Sequence, residues 1–332
     1  MPQNKTVEFQ LSSMPCNLCG NVEVSVLATR SRYNTPLRTV ICQDCGLVWC
    51  DPFPYNPRQF YEKDYRIEYK KTYAPKPKHI LRAGMVALTR YEKIKNLLVN
   101  RQTILDVGTG GGEFAYLLKS LGYDLHGIEP NKIYAEYTVA EYELNLQIGF
   151  IQDSQFNQES FDLITIWHVL EHTEDPCFVL GKLQSLLKPQ GILVVEVPNI
   201  EAICQAPKST FHEAHLFNFN LDTLTKLGEK AGLIADSHLF SEDGGNVTVF
   251  FRKAANERPI PESWDIIDNA DRIAARVKGH TNLKHYTSPR PYRRLLGRLF
   301  RAAYETISIR SCNDNRRLLD RLYNGIETTS ES

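Results

Sequence analysis

The chain has no net charge, since 39 lysines and arginines balance 39 aspartates and glutamates. No global field therefore recruits nucleic acid or anionic lipid. It also lacks any apolar run approaching the ~20 residues that span a bilayer. Its first residues, Met1-Pro2-Gln3-Asn4-Lys5, have no apolar core of the signal-peptide kind. These absences point to a cytoplasmic protein with no transmembrane segment and no nucleic-acid partner. The 332 residues, 42% hydrophobic and 23% charged, are ordinary for a globular protein of two domains, or of one domain with appendages.

A further absence is local. Ile104-Leu105-Asp106-Val107-Gly108-Thr109-Gly110-Gly111-Gly112-Glu113-Phe114 reads as strand, tight turn and helix, the unit that opens a nucleotide-binding α/β fold. A dinucleotide site of the Gly-x-Gly-x-x-Gly kind needs Gly or Ala at position 113, where Glu113 stands. Gly108 and Gly110 let a ligand approach the backbone closely, and the helix that follows offers unpaired N–H groups at its start. Asp106 ends the strand, positioned to attract a cation or an ammonium group. In His126-Gly127-Ile128-Glu129-Pro130 a second strand ends on Glu129, positioned to accept hydrogen bonds from two ribose hydroxyls. A nucleoside with a cationic tail needs no phosphate cradle. On these residues the stretch resembles the class I S-adenosylmethionine-dependent methyltransferases. The resemblance implies that Asp106 meets the amino-acid end of the cofactor and Glu129 its ribose, with Gly108, Thr109, Gly110 and Pro130 around them.

The chain after Glu129 extends the resemblance. Residues 132–143 read as a helix and 144–151 as a third strand, whose Phe150 is positioned to flank an adenine ring. Residues 161–166 form a buried strand leading into Trp167-His168-Val169-Leu170-Glu171-His172. Ligands of parallel sheets lie at strand carboxyl ends, so Trp167 and His168 are expected to line the cofactor pocket. A helix over 179–187 is broken by Lys188-Pro189-Gln190-Gly191, and residues 192–197 form a fifth strand ending in Pro198-Asn199. Gln190 stands where the family usually has glycine. A helix over 221–231 and a hairpin of 233–239 and 246–253 complete a mostly parallel, Rossmann-like sheet with an antiparallel last strand. The order of these elements covers about residues 101–253.

Cysteines carry the other strong pattern. Cys16-Asn17-Leu18-Cys19-Gly20 recurs as Cys42-Gln43-Asp44-Cys45-Gly46, and two Cys-x-x-Cys pairs supply four thiolates, which suits tetrahedral zinc. Two disulfides or two redox motifs are the competing readings. A closed site of four cysteines is structural, and the residues between the pairs are expected to form the strand pair of a zinc ribbon. Cys50, Cys177, Cys204 and Cys312 are scattered and read as packing residues. With these knuckles in front, the whole chain resembles bacterial methyltransferases that carry an amino-terminal zinc-binding domain, some of which methylate carbon of nucleotide-linked sugars. In those proteins a Glu-His pair precedes an aromatic-rich loop. His215 matches the histidine, Ala214 takes the glutamate's place and Glu213 is one residue off. His215 is the first choice of proton acceptor, since the pKa of histidine lies close to working pH, with His172 and Tyr65 as reserve candidates. Tyr65 lies on a stripe (Tyr61, Tyr65, Tyr69, Tyr73) that shares one face of a helix.

Three domains are expected: a zinc ribbon with an aromatic linker over 1–75, the methyltransferase domain over 76–253, and a helical extension over 254–332. In the extension Tyr292, Leu295, Leu296, Leu299, Phe300, Ala303 and Ile307 form an apolar helical face beside Arg293, Arg294, Arg298 and Arg301. That face is expected to pack on the body or on a second subunit, with membrane-surface contact as the alternative. The function expected is methyl transfer from S-adenosylmethionine to oxygen or carbon of a small-molecule or sugar acceptor. A nicotinamide-dependent sugar-nucleotide oxidoreductase shares the fold, but Asp106 and Glu113 argue against its pyrophosphate site. A zinc-ribbon adaptor accounts for the cysteines alone.

Overall fold

The computed structural model describes residues 10–60, 76–99, 102–254, 261–309 and 314–326. The chain divides into two compact units. One comprises residues 1–57, 167–184 and 194–291, the other 58–166, 185–193 and 292–332. Tyr61, Tyr65, Tyr69 and Tyr73, and Cys312 among the scattered cysteines, lie outside the described residues.

The main sheet grows from the glycine-turn stretch. Strand β5 (Thr103–Val107) is buried from Ile104 onward, as expected of a central parallel strand covered on both faces. It pairs in parallel with β6 (Asp124–Glu129) on one side and β8 (Phe161–Trp167) on the other. Beyond β6 lies β7 (Asn145–Ile148), again parallel. The full order is β11-β12-β9-β8-β5-β6-β7, where β9 is Leu187–Pro198, β11 Leu233–Phe240 and β12 Asn246–Lys253. Strands β11 and β12 form the expected antiparallel hairpin. The chain runs outward from β5 through β7 and returns to β8 on β5's other side. The carboxyl end of β5 is therefore a topological switch point, where open α/β sheets bind ligands.

Helix α1 (Pro77–Ile94) precedes the sheet, and α2 (Glu113–Ser120), α3 (Lys132–Tyr142) and α4 (Pro176–Leu186) form where helices are expected after the glycine turn, from 132 and before Lys188. Asn131 caps α3 by accepting from the Tyr134 N–H, a bond that satisfies one orphan donor of the first turn. Two boundaries differ from the sequence reading. β7 stops at Ile148 because Gly149 has φ +142°, and Ile151 begins a single 3₁₀ turn. β9 starts at Leu187, so Lys188–Gly191 bends the strand without interrupting it. Gln190 takes φ +66° there, a left-handed angle that glycine adopts without strain.

A second sheet has the order β1-β2-β3-β4-β10, with β1 Gln10–Leu11, β2 Glu23–Arg30, β3 Pro36–Cys42, β4 Val48–Cys50 and β10 Phe217–Asn218. β2 and β3 are the strand pair expected between the knuckles, paired antiparallel. β10 closes the edge by pairing Phe217 with Trp49 and Asn218 with Val48. Under this sheet Leu37, Ile41, Val48, Cys50, Ile200, Phe211, Ala270 and Ile273 form one buried cluster. Ala270 and Ile273 come from α6 (Asn269–Gly279), where, within the mostly polar stretch 254–288 of the expected helical extension, they share one face with Ala274 and Val277. α5 (Leu221–Lys230) and α7 (Asn282–Tyr286) complete this unit.

The tail forms α8 (Arg290–Ile309) and α9 (Asn315–Tyr323). α9 buries Leu318, Leu319 and Tyr323, and a Cβ on Gly84 of α1 would sit 2.7 Å from the Leu319 side chain. That glycine permits close helix packing. α8 does not lay its apolar face on the body, the first of the two packings expected: that face is exposed within this chain, and Glu305 is its buried residue.

Candidate functional site

The glycine turn is built from the β5 end outward. Gly108 and Thr109 donate backbone N–H groups to the Ile128 carbonyl of β6 at 2.8 and 3.2 Å, which pins the turn to the neighbouring strand. Gly108, Gly110 and Gly112 all have positive φ (+73°, +60° and +84°), so the sequence needs glycine at these three positions. A Cβ on Gly110 would meet nothing nearer than the Gly108 carbonyl at 3.9 Å. The backbone is thus open to a ligand at that residue.

Two carboxylates flank the turn. Asp106 is buried, and its Oδ1 accepts from the Thr165 hydroxyl of β8 at 2.8 Å. Burial pushes its carboxyl up to about 6, against the Arg90 charge and the Thr165 bond. Glu129 is buried at the end of β6. Its Oε2 accepts from the Gly110 N–H at 2.8 Å and its Oε1 from the Asn131 N–H at 3.0 Å. Pro130 follows directly, and Thr109 Oγ1 donates to the Asp106 carbonyl at 3.0 Å. Half-buried Phe150 lies under the Arg58 guanidinium at 5.4 Å, and Arg58 also pairs with Asp153 at 2.7 Å.

The four cysteines of the knuckles converge. Cys16 and Cys45 sulfurs are 3.5 Å apart, Cys19 and Cys42 3.3 Å, and all four lie within 4.8 Å of one another. These separations are far beyond the ~2.05 Å of a disulfide, and the four are free thiols. Gly20 and Gly46 donate to the Cys16 and Cys42 carbonyls at 2.8 and 3.1 Å, with φ +84° and +76°. These are the tight knuckles that the glycines predict. Asn269 of α6 donates to the Cys45 carbonyl at 2.8 Å, a tie from the polar stretch that local pattern does not reveal.

A third group gathers histidines and carboxylates. His168 follows β8 with φ +56°, which sets its ring between Glu171 (3.4 Å to Nδ1) and Glu196 of β9 (3.3 Å to Nε2). Burial alone would lower the His168 pKa, but bonds and charge from the two carboxylates outweigh it and hold it at about 9. His168 is therefore an imidazolium at neutral pH. Glu196 also accepts from Thr248 at 2.5 Å. His172 Nδ1 lies 2.5 Å from the Ala214 carbonyl. A carbonyl only accepts, so Nδ1 carries the proton, and Nε2 lies 3.7 Å from Glu171 Oε1. His215 meets His172 edge-on, with ring centroids 5.0 Å apart, and stacks on His212 at 5.1 Å. Burial, then the charges of His172 and His212, push His215 down to about 3. The sequence reading, which took its pKa as close to working pH, missed this burial.

Residues 76–238 match the model of a methyltransferase domain. Among curated relatives, the ubiquinone biosynthesis O-methyltransferase of Haemophilus ducreyi is 31% identical over 106 residues, covering 29% of this chain and 45% of that protein. The enzyme of the same name from Actinobacillus pleuropneumoniae is 32% identical over 134 residues, covering 37% and 56%. The chain spans about half the length of these relatives. A solved S-adenosylmethionine-dependent methyltransferase of Thermotoga maritima aligns with TM-score 0.45 and 20% identity, covering 60% of this chain and all of that one.

The candidate residues of the methyltransferase domain thus fall into two groups. Asp106, Gly108, Thr109, Gly110, Glu129 and Pro130 come together at the ends of β5 and β6, and Phe150 follows β7. Trp167 is buried at the end of β8, while His168 belongs with Glu171 and Glu196. Tyr65 lies outside the described residues. Glu213 accepts from the Ser31 and Thr35 hydroxyls of the β2–β3 turn. The carboxylate beside His215 is instead Glu171, which with His172 and His215 forms a set within 4.8 Å. Glu171 was missed as a site residue because its neighbour His215 is remote in sequence.

Proposed function

We propose that this protein transfers the methyl group of S-adenosylmethionine to an oxygen of a small-molecule acceptor. The observation that carries the proposal is the buried pair Asp106 and Glu129 beside an open glycine turn. Two carboxylates suit a cationic nucleoside and would repel the pyrophosphate of a dinucleotide, and Glu113 adds a third buried acid at the start of α2. Asp106 would hold the ammonium end of the cofactor. Glu129 would accept from the ribose hydroxyls, and Phe150 would flank the adenine. The bound group supplies a methyl already activated on sulfonium.

The chain's own tasks are then to bind, to orient and to take the acceptor's proton. His215, kept neutral by burial, is proposed as the acceptor of that proton, and the anionic Glu171 beside it would stabilise the resulting imidazolium. Burial alone would raise the Glu171 pKa, but the charge of His172 and the bond from His168 hold it down to about 2. His172, fixed by the Ala214 carbonyl, is the second base. Both curated relatives described above are named as O-methyltransferases, which supports a hydroxyl acceptor. A phenolic or sugar hydroxyl would suit this chemistry.

The cysteine cluster is proposed to hold one structural zinc, as its four converging sulfurs and paired knuckles fit. Elemental analysis of protein purified without chelator is expected to find about one zinc per chain, and finding none would remove that assignment. Calorimetry tests the main reading: S-adenosylmethionine should bind and NAD should not. Binding of NAD alone would transfer the protein to the oxidoreductases.

A further inference from the structure

Helix α8 lies with its polar side inward. Glu305 is its buried side chain, accepting from Arg82 of α1 at 2.8 and 2.9 Å, with Lys78 3.4 Å away. At 3.6 residues per turn, Leu296 stands roughly two and a half turns before Glu305 and so on the opposite side. Tyr292, Leu295, Leu299, Phe300 and Ile307 share that outward face, and all are exposed, Phe300 by 76% and Ile307 by 71%. Helical packing on the body in this unit is supplied by α9, whose Leu318, Leu319 and Tyr323 are buried. The apolar face of α8 therefore has no cover among the described residues.

The helix carries charge mostly of one sign. Residues 290–309 contain five arginines and a single acid, Glu305, which is already engaged by Arg82 and Lys78. Arg293 borders the apolar face, and Arg298 and Arg301 are exposed on the side of the helix that carries Glu305. A second copy placed on this face would bring two strongly basic helices together, with the one acid of each engaged by Arg82 and Lys78. An anionic lipid surface accepts both features, the apolar side chains among acyl chains and the guanidinium groups at the phosphates. The zero net charge of the chain conceals this local excess. We propose that α8 docks the protein on membranes rich in anionic lipid, lying in the plane of the headgroups.

Flotation of the full chain with vesicles tests this. The protein should float with phosphatidylcholine mixed with phosphatidylglycerol, not with phosphatidylcholine alone, and added salt should release it. Leu299→Glu with Phe300→Glu should abolish flotation, since both side chains are exposed and their replacement leaves the fold intact by circular dichroism. Alanine at Arg293, Arg298 and Arg301 together should weaken binding by roughly 100-fold, at about fivefold for each charge lost. The proposal is overturned if the folded parent does not float with mixed vesicles, or if the Leu299 and Phe300 variant floats as the parent does. Sedimentation without lipid supplies the competing outcome. A dimer that the same variant dissociates, with no vesicle binding, would assign the face to a second copy of the chain.

Discussion

Two pairs of buried carboxylates divide the work of this molecule. Asp106 and Glu129 accept from a hydroxyl and from backbone N–H groups, whereas Glu171 and Glu196 face an imidazolium. The first pair keeps negative charge in a dry place, so Asp106 is pushed up to about 6 by its burial. A cationic ligand relieves that cost. The second pair shares one imidazolium, His168, which offsets half of its charge, and the remaining negative charge faces His172 and His215. Burial is common to both; the neighbouring donor's charge separates binding from proton handling.

The largest effect expected is on the histidine side. His215→Ala should reduce turnover by roughly 10²–10⁴, the usual contribution of a positioned base, while leaving cofactor affinity unchanged. Single-turnover methylation at saturating cofactor reads this directly, and a loss of affinity equal to the loss of rate would erase the division between the pairs. On the other side, Asp106→Ala and Glu129→Ala should each weaken S-adenosylmethionine binding by about ten- to a hundredfold, as removal of one charged hydrogen bond costs roughly 1.5–3 kcal/mol. Parent-like affinity in both folded variants would withdraw the cradle.

A pH series sharpens the same contrast. With the Asp106 pKa at about 6, ligand-free protein carries this acid neutral below that pH. A cationic ligand needs it ionised, so affinity should be level above pH 6 and fall by up to about tenfold for each unit below. Asp106→Asn should be weak and flat across the range; a slope retained in that variant assigns the titration to another group. The sign for stability is opposite. Because the folded pKa is raised, the contribution of Asp106 is fully present below its unfolded value of ~3.9 and is lost as pH rises through about 6 in the absence of ligand. The smallest effect belongs to Glu213→Gln. Its hydroxyl partners lie on the β2–β3 turn, so thermal stability should drop by about 1 kcal/mol and turnover should hold. A rate loss matching that of Glu171→Gln would mean the wrong carboxylate has been assigned to the base.

The cradle was legible because its parts are local: strand, acid and glycine turn are contiguous, and the second acid ends the next strand. The knuckles were legible for the same reason, as spacing alone brings each pair together. The histidine group was only half visible. His172 and His215 could be named, but the carboxylate that serves them depends on a loop after β8 meeting a loop before β10. Glu213, adjacent in sequence, turned elsewhere. Helix α6 lies inside the extension read as helical, and Ala270, Ile273, Ala274 and Val277 are spaced as one face, but the pattern did not say that this face would cover the cysteine sheet. In α8 the stripe was plain, but a stripe says which face is apolar and not what covers it.

Strand β10 ties the cysteine sheet to the chemistry. It begins two residues after His215, and Cys50 of β4 donates through its thiol to the His215 carbonyl at 3.3 Å and through its N–H to the Leu216 carbonyl at 2.9 Å. The edge that steadies the histidine loop is thus the last rung of a ladder whose earlier rungs include the cysteine knuckles. On heating, these parts should melt as one cooperative unit, so the temperature at which the knuckles unravel is also the temperature at which the proton acceptor loses its fixed position.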